Sequence, residues 1–97
     1  MKYNVEKDKL TLFLEGEVNS SNAEQIEKEI EGLLKEQPFK SIVFDLENLN
    51  YISSAGLRII VKVKKQYDDT RLINVPHLVY DVFKMVGFQN LLKIERQ

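Results

Sequence analysis

The chain has 97 residues, 43% of them hydrophobic and 30% charged, with a formal net charge of -1 and no cysteine. That length and composition suit one folded domain and exclude wholesale disorder. The mixed, near-neutral charge offers no basic stripe for nucleic acid and no cationic face for a membrane. Without cysteine there are no disulfides, no thiolate catalysis and no cysteine-held zinc or iron–sulfur centre.

The start, Met1 to Asp8, has no apolar signal core, and no segment approaches the roughly 18 apolar residues of a membrane helix. A cytoplasmic location is therefore expected. Tyr3 and Val5 open an alternating pattern that predicts a short strand. Asp8-Lys9 reads as a turn. Leu10 to Leu14, nearly continuously apolar, reads as a strand buried on both faces. Gly16 interrupts it, and Glu17-Val18-Asn19-Ser20 reads as a loop. Ser21 with Glu24 three residues on forms a capping-box pattern. Ala23, Ile26, Ile30, Leu33 and Leu34 then recur at helical steps and end before Pro38.

Ser41 to Asp45 predicts a buried strand. A polar turn follows, then Tyr51-Ile52-Ser53-Ser54-Ala55-Gly56 and a second helix. In that helix Leu57, Ile60 and Val61 lie beside a second row of Ile59, Val63 and Tyr67. Arg58, Lys62 and Lys65 share its remaining face. Arg71 to Val75 predicts a strand, and Pro76 suits the first turn of a third helix. Leu78, Val79, Val82, Phe83 and Val86 give that helix its buried face, and Gly87 suits its end. Leu91 to Ile94 suits a last short strand. Alternating strands and helices after an opening hairpin imply parallel strands with right-handed crossovers. The expected fold is a small single-domain α/β sandwich, with a mixed sheet of four to five strands and three main helices.

Ser53 and Ser54 stand where a helix begins, with unpaired N–H groups and a dipole that favours an anion. A serine there caps the helix or accepts a phosphate, and spacing alone leaves both readings open. Gly56 inside the helix costs about 1 kcal/mol against alanine, which points to a need for space. Nothing suggests an enzyme. His77 is the sole histidine and reads as a partly exposed helix-start residue. Asp68-Asp69 has no third carboxylate nearby, and no phosphate-binding glycine motif occurs, so no metal or cofactor is expected.

Asp45-Leu46, then Tyr51-Ile52-Ser53-Ser54-Ala55-Gly56-Leu57-Arg58, resembles the central motif of the STAS domain family, the anti-sigma factor antagonists. Gly16-Glu17-Val18-Asn19, Ile73-Asn74-Val75 and Val86-Gly87-Phe88 extend the resemblance over nearly all of residues 1–97, read as one STAS domain. The resemblance implies that Ser54 is the phosphoacceptor, with Ser53 as the alternative. Ser53 and Asn19 stand where the family pattern has aspartates. It further implies a partner switch, in which the unphosphorylated form binds an anti-sigma factor that is also a serine kinase. Phosphorylation by that kinase turns binding off, and a serine phosphatase acting on the phosphorylated form restores it. The implied docking surface comprises Asn19, Ser20, Ser21, Tyr51, Ile52, Ser53, Ala55, Arg58 and Lys62. The competing expectation is an accessory or scaffold subunit of a transport or signalling assembly, with no phosphorylation cycle.

Overall fold

The computed structural model describes residues 1–97. Strands β1 (Lys2–Glu6) and β2 (Lys9–Phe13) form an antiparallel hairpin through a turn in which Lys7 adopts φ 58°. The chain continues through β3 (Gly16–Val18), helix α1 (Ala23–Leu34), β4 (Ser41–Asp45), β5 (Leu49–Ile52) and helix α2 (Ser54–Gln66). It ends with β6 (Asp69–Val75), helix α3 (His77–Met85), a 3-10 turn at Phe88–Asn90 and β7 (Lys93–Arg96). The main sheet has the order β1-β2-β4-β6-β7, parallel apart from the hairpin. This is the mixed α/β sandwich that the element order implies.

The core packs on one face of that sheet. Leu10, Leu12, Ile42, Phe44 and Leu72 are fully buried there, against Ile30 of α1, Ile60 of α2 and Phe83 of α3. Their sheet neighbours Thr11, Phe13, Asp45, Arg71 and Ile73 point the other way and keep partial exposure. The β2 strand is thus buried on one face, not two. Thr11 and the outward ring of Phe13 mimic a continuous apolar run, although the period is two.

Three further expectations need correction. Residues 17–18 and 49–52, read as loop and turn, are strands that pair in parallel as a second, two-stranded sheet. Gly16 pairs with Leu49 but Glu17 with Tyr51, so Asn50 is an extra residue. That irregularity turns both Leu49 and Ile52 inward, giving a spacing of three that does not look like a strand. The capping box does not form: Asn22 occupies the N-cap of α1 and makes no side-chain cap. On α3, Val79 and Phe83 are buried, whereas Leu78 is 75% and Val86 52% exposed. The Phe83 ring stacks on Phe88 with centroids 5.2 Å apart. Gly87 ends α3 in the left-handed region at φ 79°, as its position predicts.

Candidate functional site

The short second sheet builds the site. Val18 and Ile52 are paired at the ends of parallel β3 and β5, so the residues after them leave the sheet at the same edge. Those residues are Asn19, which leads into α1, and Ser53, which leads into α2. The Ser53 N–H donates to the Val18 carbonyl at 2.8 Å and ties the two exits together. The extended Ser53 is the N-cap of α2, and its Oγ accepts from the Gly56 N–H at 3.4 Å. One of the two serines therefore serves as the cap. Ser54 is the first helical residue; it is exposed, and its hydroxyl has no hydrogen-bond partner within the protein.

Gly56 explains the firmness of this seat. A Cβ added there would lie 2.6 Å from Ile52 Cγ1 and 2.7 Å from Val18 Cγ1. Both neighbours are β-branched and stiff at χ1, so neither yields cheaply. The helix start consequently presses onto the small sheet. Overpacking of this kind costs about 1–3 kcal/mol, against a gain of about 1 kcal/mol in helix propensity. Gly56→Ala should therefore lower stability in chemical denaturation by up to about 2 kcal/mol. A variant more stable than wild type would contradict this packing.

Asn19 organises the neighbouring loop. Its Oδ1 accepts from the Ser21 N–H at 3.0 Å, the Ser21 Oγ–H at 2.6 Å and the Asn22 N–H at 3.2 Å. Its carbonyl accepts from the Ala23 N–H at 2.9 Å, and its own N–H donates to Asn22 Oδ1 at 2.9 Å. Ser21 is thereby drawn to Asn19 and away from the cap position, which is why the capping box fails. Loss of a helix-start acceptor typically costs about 1 kcal/mol. Asn19→Ala should lose about that much in a denaturant titration, while Asn19→Asp, which keeps the oxygen, should stay near wild type.

Between α1 and α2 lies an open groove. Ser20, Ala23 and Glu27 line its α1 side, and Ala55, Arg58 and Lys62 its α2 side. Lys62 Nζ reaches across to Glu27 at 2.6 Å. That hydrogen bond, with the attraction of the same carboxylate, raises the Lys62 pKa above its ordinary value. Arg58 is exposed and forms no ion pair.

The structure thus brings Asn19, Ser20, Ser21, Ser53, Ser54, Ala55, Arg58 and Lys62 to one end and one groove. Tyr51 is 51% exposed but stands on β5, outside the groove lining. Ile52 does not belong to an accessible surface: at 4% exposure it is core, and it packs under Gly56. Val18, Ala23 and Glu27 escaped the sequence reading of the site. Only the out-of-place Gly56 hinted that something presses on the helix start.

No cluster of acidic or histidine side chains suits a metal ion, and no helix is long and apolar enough to cross a membrane. The STAS domain family model matches residues 2–97. BtrV of Bordetella bronchiseptica, a candidate anti-sigma factor antagonist, is 37% identical over 89 residues, covering 88% of this chain and 76% of that protein. Among solved structures, a candidate anti-sigma factor antagonist of Thermotoga maritima superposes with a TM-score of 0.86 at 22% identity, over 99% of this chain and 86% of its own. The anti-sigma factor antagonist SpoIIAA in its unphosphorylated form gives 0.80 at 20% identity, over 96% and 85%. The phosphorylated form of Bacillus SpoIIAA gives 0.71 at 19%, over 96% and 88%. The solved structures share the fold; the extent of the family match and the identity to BtrV establish that this chain belongs to the STAS domain family.

Proposed function

We propose that residues 1–97 act as one STAS domain, an anti-sigma factor antagonist that works by partner switching with Ser54 as its phosphoacceptor. The observation that carries this reading is the exposed, unbonded Ser54 hydroxyl at the head of α2, beside a neighbour that already supplies the cap. A cap hydroxyl has a structural task. The Ser54 hydroxyl has none, and it sits where the helix dipole favours added negative charge.

In the unmodified protein, the Asn19–Ser21 loop, the head of α2 at Ser53–Ala55 and the groove edge with Arg58 and Lys62 present the docking surface, with exposed Tyr51 on β5 nearby in the chain. Its partner is an anti-sigma factor that is also a serine kinase. That kinase passes the γ-phosphoryl group of ATP to Ser54 Oγ. A new P–O bond forms as the bond to the β-phosphate breaks, ADP leaves, and the hydroxyl proton goes to the base of the kinase. The phosphate brings about -1.5 to -2 charge into the docking surface. A serine phosphatase reverses the state by adding water across the ester and releasing inorganic phosphate. The STAS chain itself supplies no catalytic group. The name of BtrV and the two solved forms of SpoIIAA support this assignment.

Incubation with the anti-sigma serine kinases of its own genome and ATP, followed by intact mass measurement, tests the reading. One added phosphate is expected on wild type and none on Ser54→Ala. No phosphate with any of those kinases would contradict it and favour a scaffold role.

A further inference from the structure

The cations along α2 are not equivalent. Lys62 is held by Glu27 across the groove at 2.6 Å. Lys65 lies about 10 Å farther along the helix axis than Arg58, two turns away. Arg58 alone lies one turn from Ser54, at a spacing that places Cβ atoms about 5–6 Å apart. It forms neither an ion pair nor a hydrogen bond in the unmodified protein, and it lines the groove rim. The acidic side chains across the groove are already paired, Glu24 with Lys28 at 3.4 Å and Glu27 with Lys62. An unpaired guanidinium at a docking rim is a planar fork suited to a carboxylate or a phosphate.

We propose that Arg58 is an exchangeable ligand within the switch. In the unmodified protein it pairs with a carboxylate of the docked partner. In the phosphorylated protein the Ser54 phosphate takes the same guanidinium. The two uses exclude each other, so phosphorylation withdraws an attraction as well as adding bulk and charge. This rests on the partner-switching reading and adds to it the chemistry of one contact: the partner presents an acidic side chain beside Ser54.

Two measurements test it. First, a phosphorus NMR titration of the Ser54-phosphorylated protein follows the second ionisation of the phosphate. A paired guanidinium favours the dianion, so that ionisation should move to higher pH in Arg58→Ala, with Arg58→Lys between. Second, calorimetric titration compares unmodified and phosphorylated protein for the anti-sigma factor identified by its kinase activity. Arg58→Ala should weaken the unmodified complex about tenfold and shrink the effect of phosphorylation by a similar factor. An unmoved phosphate ionisation, or an unchanged phosphorylation ratio in Arg58→Ala, overturns the exchange while the switch stands. Failure of unmodified wild type to bind any such factor overturns the switch, and the exchange with it.

Discussion

Ser54→Asp should fold as well as wild type yet bind its anti-sigma factor at least about a hundredfold more weakly. The stability half of this result follows from position. Ser54 is exposed and contributes no hydrogen bond, so replacing it removes nothing. A carboxylate in the first turn interacts favourably with the helix dipole, worth about 0.3–1 kcal/mol. In a domain of this size that raises the melting temperature by at most about 8 °C. The binding half follows from desolvation. A carboxylate placed there must be desolvated on docking and competes for the Arg58 guanidinium that the partner uses; a hundredfold loss corresponds to about 2.7 kcal/mol. Thermal melting followed by calorimetric titration checks both halves. A folded Ser54→Asp that binds like wild type would remove Ser54 from the interface.

Ile52→Ala should lose about 2–5 kcal/mol of folding stability, as expected when a buried isoleucine becomes a cavity. The residue is 4% exposed and supports Gly56, so the cavity opens directly beneath the head of α2. Denaturant unfolding measures this loss. Tyr51→Ala, one residue earlier and half exposed, should change stability by no more than about 0.5 kcal/mol. If Ile52→Ala instead left stability intact and reduced only partner binding, the inward orientation of Ile52 would be wrong.

This pair of neighbours also shows where the sequence is legible. The helices announce themselves because Ala23, Ile26 and Ile30 in α1, and Ile59, Ile60 and Val63 in α2, recur often enough for a 3.6-residue period to emerge. The hairpin, the central strands and the Gly87 stop are readable for similar reasons. The second sheet is not readable. A three-residue strand and a four-residue strand with one extra residue contain too few repeats to show a period. Ile52 therefore passed for part of an exposed turn, although its pairing with Val18 turns it inward.

At the site, the two serines were legible as a helix start but not as separate roles. Which serine caps depends on the extended backbone at Ser53 and on its tie to Val18, a residue 35 positions earlier in the chain. The Asn19 loop failed as a capping box for a similar reason. A side chain just upstream competes for Ser21, and local spacing does not reveal that competition. Gly56 is the exception. Its conformational cost inside a helix was visible in the sequence, and the structure supplies the cause in Val18 and Ile52.

The division of labour between the two serines is the point on which the functional account turns. Fragmentation mass spectrometry of the kinase-treated protein reads it directly, by locating the phosphate along residues 51–58. The account expects the phosphate on Ser54, with Ser53 unmodified. A phosphate on Ser53, with Ser54 bare, would contradict it.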